Sequence, residues 1–143
     1  MQPLPHRYEV ALICDGPHAR VESEGRTPFV GGAPPEFDGD QSVWSPEQLL
    51  LAAVGLCLFT TFRAVAKGTP LAGYRYHDRV DGVLDQTPQG PRFSSVTHHV
   101  ELAVFEPDRE RVAQLLQKAK QHCIIAATLN VPVHLEYRIN VSL

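Results

Sequence analysis

The chain has 143 residues, 43% hydrophobic and 20% charged, which is the size and composition of one ordinary folding domain spanning 1–143. Its net charge of -3 and pI near 6.1 come with no run of Lys or Arg, so nucleic acid is not an expected partner. Three cysteines are too few, and odd in number, for a disulfide framework.

The N-terminus, Met1 to Arg7, has no basic start followed by an apolar core, so no signal peptide is expected and a cytoplasmic location is. Residues 7–14 alternate and are β-rich, Asp15-Gly16-Pro17 signals a turn, and His18 to Ser23 reads as a returning strand. Residues 25–45 are rich in Gly and Pro and predict loops and short extended pieces anchored by Phe29, Val30 and Phe37.

The first helix is strongly punctuated. Ser45 is a good N-cap, Pro46 suits the first helical position, and Gln48 completes a Ser-x-x-Gln capping box. Lys67-Gly68-Thr69-Pro70 is a stop, with Gly68 expected in a left-handed cap. Leu49 to Phe59 is the longest apolar run, well short of the roughly 18 residues of a membrane span, and is apolar on every side. It predicts a helix surrounded by protein, and no membrane.

Leu71 to Leu84 and Arg92 to Phe105 read as two long strands joined by a turn over residues 85–91. Pro107 opens a second helix whose Val112, Leu115, Leu116, Ala119 and Cys123 share one face, with a break near Cys123. Val133 to Val141 is a final strand. Strands joined mostly as hairpins, with helices between them, give an α+β class with a largely antiparallel sheet.

Thiols are the main candidates for chemistry. On composition alone Cys57 reads as core packing, because free Cys behaves as a small hydrophobe. Gly55 two residues earlier is a costly helical choice unless something packs close. Cys123 ends another apolar face, so the two thiols can converge. Glu47 suits the first turn of its helix by charge alone. It stands ten residues before Cys57, about 15 Å along the axis, too far to reach the thiol of its own chain. Any action of Glu47 at a Cys57 site therefore requires a second subunit. Cys14 reads as packing. His98 and His99 are adjacent on a strand and point to opposite faces, so they do not share an ion, and no metal is expected.

The segment Ser45-Pro46-Glu47-Gln48-Leu49 through Cys57 resembles the Asn-Pro-Glu-(Glu/Gln)-Leu…Cys signature of the OsmC/Ohr proteins, the osmotically induced and organic hydroperoxide resistance proteins. Lys118 to Cys123 resembles their second cysteine region, and Leu129-Asn130-Val131-Pro132-Val133 continues the likeness. The resemblance implies an intertwined α+β homodimer around a long buried central helix, with a site at each subunit junction and no cofactor. It implies thiol-dependent reduction of organic hydroperoxides. Cys57 matches the peroxidatic cysteine, Cys123 the resolving one, and Glu47, from the partner subunit, the carboxylate that orients an arginine. A dithiol donor, in some members a lipoylated protein, resets the pair. No Arg or Lys lies between Thr27 and Phe62, and acids stand near Glu36-Phe37-Asp38-Gly39 where some relatives carry the arginine. Arg20 is the best remaining candidate and Arg26 the second. The segment after Cys123 lacks the Pro common in the peroxidase branches. The alternative is a dimeric binding or redox-sensing protein on the same fold.

Overall fold

The computed structural model describes residues 2–14 and 16–143, so the turn expected at Asp15 lies partly outside the described residues. Two compact units cover residues 1–49 and 50–143.

In the first unit, β1 (Ala11–Cys14), β2 (His18–Glu22) and β3 (Phe29–Gly32) form an antiparallel sheet in that order. The first strand is shorter than its sequence suggests, because only Ala11 to Cys14 find partners on β2. The third strand falls inside the stretch expected to be mostly loop. Very little of this sheet is buried: Leu12 is 65% exposed in the single chain, and the expected anchors Phe29, Val30 and Phe37 are exposed as well.

Helix α1 (Pro46–Ala66) starts where the capping box places it. The Gln48 N–H donates to Ser45 Oγ at 3.2 Å, and the Ser45 N–H donates to Gln48 Oε1 at 3.1 Å. Ser45→Ala is expected to cost about 1 kcal/mol in urea unfolding, as the loss of such a cap does elsewhere; no change would show that the Gln48 arm alone suffices. The helix ends at Ala66, as read, but Gly68 is not left-handed. The last turn closes instead through the Thr69 N–H to the Ala66 carbonyl at 2.9 Å.

The second unit is built on a sheet in the order β4 (Tyr74–Thr87), β5 (Gly90–Val104), β6 (Val133–Val141). The β4–β5 hairpin is longer than expected. Its ladder continues through Asp85 and Gln86 to a two-residue turn closed at Gly90, where φ is +100°. Strands β5 and β6 run parallel. Parallel neighbours need a crossover, and here α2 (Arg109–Gln121) and α3 (Ile124–Thr128) supply it. Among the described residues, three of the four pairings between named strands are antiparallel, but they are divided between two sheets. At the start of α2 the buried Asp108 accepts the Ala72 N–H at 2.8 Å, tying the segment before β4 to the helix.

The core lies between this sheet and the helices. Leu58, Phe62 and Ala66 of α1 meet Val100, Leu102 and Val104 of β5, and Val112, Leu115, Leu116 and Ala119 of α2. Val54, Leu58, Phe62 and Ala66 recur every four residues and are all buried. The opposite side of α1 is bare, with Leu56 62% exposed. The expectation of a helix surrounded by protein therefore holds for one face only. By length and composition α1 could cross a membrane, with a mean hydropathy of 2.0 over its most apolar window. The face that carries Gly55 instead packs closely on β4. A Cβ at Gly55 would stand 2.9 Å from Val80 Cγ2, and one at Gly82 would stand 3.0 Å from Leu51 Cδ2.

Candidate functional site

The two distant cysteines meet. Cys57 lies on the flank of α1, half-buried, and Cys123 is buried at the N-cap of α3. The break expected near Cys123 is real: the backbone turns extended at that residue, between α2 and α3. This turn aims the Ile125 N–H at Cys57 Sγ, 3.5 Å away. Cys123, two residues before Ile125, is brought beside Cys57 by this turn, and both thiols are free.

These neighbours decide the acidity of each sulfur. For Cys57, burial pushes the thiol up, but the Ile125 N–H, the Cys123 thiol, the Thr61 hydroxyl and the Ile124 N–H together hold it below the usual range. For Cys123, burial pushes the thiol up, and donating to Cys57 and facing its charge raise it further, against the Ala126 and Ile125 N–H groups. The two sulfurs are shifted in opposite directions, Cys57 toward the thiolate and Cys123 toward the thiol. The backbone N–H groups among these donors carry no residue signature from which they could be read.

Glu47 is in the first turn of α1, ten residues before Cys57, with its Oε2 buried and unpartnered. Arg20, on β2, is 56% exposed and pairs with Glu22 at 2.6 Å. Arg26 is exposed and donates to the Gly25 carbonyl. Cys14 is exposed, not packed, and its thiol reaches the Gly16 carbonyl at 3.4 Å.

A second group of polar residues lies under α1. His98 and His99 do face opposite sides of β5. His99 bridges Asp81 and Glu136 outside, while His98 is fully buried and its Nδ1 is 2.7 Å from Asp78 Oδ2. Tyr76 meets Phe59 in a tilted contact with ring centroids 5.2 Å apart. Its hydroxyl is buried without a hydrogen-bond partner, and burial, the Asp78 carboxylate and the Cys123 sulfur all push the phenol up. The sequence did carry a signal for this cluster. Tyr76 and Asp78 alternate with Val80 on β4, and His98 sits between Val96 and Val100 on β5, so polar groups occupy inward positions of apolar faces.

A family model described as OsmC-like protein matches residues 39–138. Among curated proteins there is no match. Solved structures are similar over nearly the whole chain. An OsmC-like protein of unknown function from Vibrio cholerae is 16% identical with a TM-score of 0.84, covering 94% of this chain and 100% of its own. An organic hydroperoxide resistance protein OsmC from Legionella pneumophila is 20% identical with a TM-score of 0.68, covering 96% and 100%. The organic hydroperoxide resistance protein OhrB of Bacillus subtilis is 23% identical with a TM-score of 0.65, covering 93% and 98%. The α+β fold is the one these proteins share, and the chain belongs to the OsmC-like protein family.

Proposed function

We propose that this protein is a thiol-dependent peroxidase that reduces organic hydroperoxides. The observation that carries the reading is the meeting of two free thiols from α1 and the head of α3, one lowered and one raised. The Cys57 thiolate attacks the peroxide O–O bond; an alcohol leaves and Cys57 becomes a sulfenic acid. Cys123 then attacks that sulfur, the S–O bond breaks, and a disulfide and water result. A dithiol, lipoylated or small, returns both thiols by exchange. Three similar solved structures are named organic hydroperoxide resistance proteins, which favours this substrate class.

The acting unit in this reading is a homodimer, each chain one OsmC-like domain, working in the cytoplasm. The bare face of α1 and the uncovered first sheet support it. Each unit leaves large apolar side chains exposed, Leu12 in the first and Leu56 in the second, of the kind a partner covers, and a self-complementary interface closes on a second copy. In that dimer Glu47 acts at the partner's thiols, and Arg20 is the guanidinium it orients. The exposure of Arg20 and its pairing with Glu22 favour a second reading, a dimeric redox-sensing or binding protein whose thiols do not turn over.

Cumene hydroperoxide consumption with dithiothreitol or a lipoyl donor separates the two. Wild type is expected to turn over, and Cys57→Ser to lose at least about three orders of magnitude, as loss of a nucleophile does in other enzymes. A wild-type rate equal to that of Cys57→Ser would leave only the second reading.

A further inference from the structure

The two thiols differ in one respect that assembly cannot reverse. Cys123 is 2% exposed within a single chain, where it continues the buried stripe of Leu115, Leu116 and Ala119 on α2. A second copy can only remove surface, so this sulfur is closed to an outside reagent in the monomer and in a dimer alike. Cys57 stands at an edge. Along α1 its neighbours pass from the exposed Leu56 to the fully buried Leu58, and Cys57 is half-buried between them. Its Sγ lies 3.5 Å from the Ile125 N–H, and Ile124, the residue before that donor, is 73% exposed. Cys57 is therefore at the rim of the molecule, and Cys123 is not.

A disulfide can be opened at either sulfur, and the choice decides which cysteine carries the reductant and which one leaves. Leaving-group acidity alone favours attack at Cys123, because Cys57 is the sulfur shifted toward the thiolate. Access favours the other sulfur, and access decides, because a nucleophile has no path to a sulfur without surface. We propose that the dithiol reductant opens the Cys57–Cys123 disulfide at Cys57, with Cys123 as the leaving group. One thiolate of the dithiol bonds to Cys57 Sγ as the Cys57–Cys123 bond breaks. Cys123 departs with the electron pair, takes a proton and stays in the core as a thiol. The second thiol of the reductant, as its thiolate, then attacks the reductant sulfur of the mixed disulfide. The dithiol closes on itself as a disulfide, oxidised by two electrons, and Cys57 departs as a thiolate toward the Ile125 N–H. Cys57 thus bonds to whatever arrives from outside, the peroxide oxygen and then the reductant sulfur, and Cys123 bonds only to Cys57.

The inference rests on Cys57 and Cys123 closing a disulfide, as in the reading above, and it is tested without peroxide. In a Cys14→Ser background, which removes the exposed third thiol, diamide closes the bond and intact mass shows the loss of two hydrogens. Glutathione, a monothiol, is then added, the reaction is quenched at short times with N-ethylmaleimide, and peptide mass spectrometry locates both labels. Glutathione is expected on Cys57 and maleimide on Cys123, at least about tenfold over the reverse pattern. In urea that unfolds the chain the preference should disappear, because both sulfurs are then open. Glutathione on Cys123, on both sites alike or on neither overturns the proposal, as does a preference that persists in urea. Failure of diamide to close the bond removes the pair and the proposal with it. Turnover of cumene hydroperoxide with glutathione landing on Cys123 keeps the peroxidase reading and loses this one. Glutathione on Cys57 without turnover does the reverse.

Discussion

Phe62→Ala is expected to destabilise the fold by about 3–5 kcal/mol, the cost of truncating a fully packed aromatic in a core. Phe62 is completely buried. It meets Tyr74 edge-on with ring centroids 5.2 Å apart, and Tyr76 at 5.7 Å. Such pairs add about 0.5–1.5 kcal/mol beyond the area they bury. The whole fold is worth only about 5–15 kcal/mol, so the variant should unfold at a much lower urea concentration. Because the assembly is proposed to be a dimer, the comparison must be made at one fixed protein concentration. A loss below about 1 kcal/mol would mean that the aromatic cluster repacks around the gap and does not hold α1 to the sheet.

Leu56→Glu should do the opposite, sparing the chain and breaking the assembly. Leu56 is 62% exposed on the bare face of α1, so within one chain the substitution removes little buried surface. In a two-fold interface it occurs twice, and each copy places an unpaired carboxylate among apolar side chains, at about 3 kcal/mol each. The dimer dissociation constant should then rise by on the order of four powers of ten. Sedimentation at micromolar concentration is the measurement, with wild type a dimer and the variant a monomer of unchanged helical content. A wild-type monomer would remove the second copy as the cover for α1, and with it the role proposed for Glu47. A variant that stays dimeric would place the interface elsewhere.

Features determined locally were legible in the sequence. The capping box fixes the start of α1 because both of its hydrogen bonds span three residues. The break before α3 shows in the loss of helical periodicity, and strand alternation alone separates His98 from His99. What depends on partners far along the chain was not legible. The parallel pairing of β6 with β5 follows from the crossover through α2 and α3, not from the composition of the strand. The Asp78–His98 pair joins residues 20 apart, and it needs the β4–β5 register to bring them together. Two of the donors to Cys57 are backbone groups of Ile125 and Ile124, and Ile is a residue type that suggests no such role. The long apolar run predicted burial correctly for the face against the sheet. Composition alone could not say that the other face leaves Leu56 exposed.

Gly55 has no side chain, yet it acts as the keyway that sets the rotation of a helix. Because Val80 fills the space where a Cβ would be, α1 can turn about its axis only by driving backbone into a β-branched side chain with little freedom to yield. Two residues on, that fixed rotation is what keeps Cys57 Sγ opposite the Ile125 N–H. The donor that faces the thiol is therefore held in place from the far side of the helix, by a position that carries no side chain.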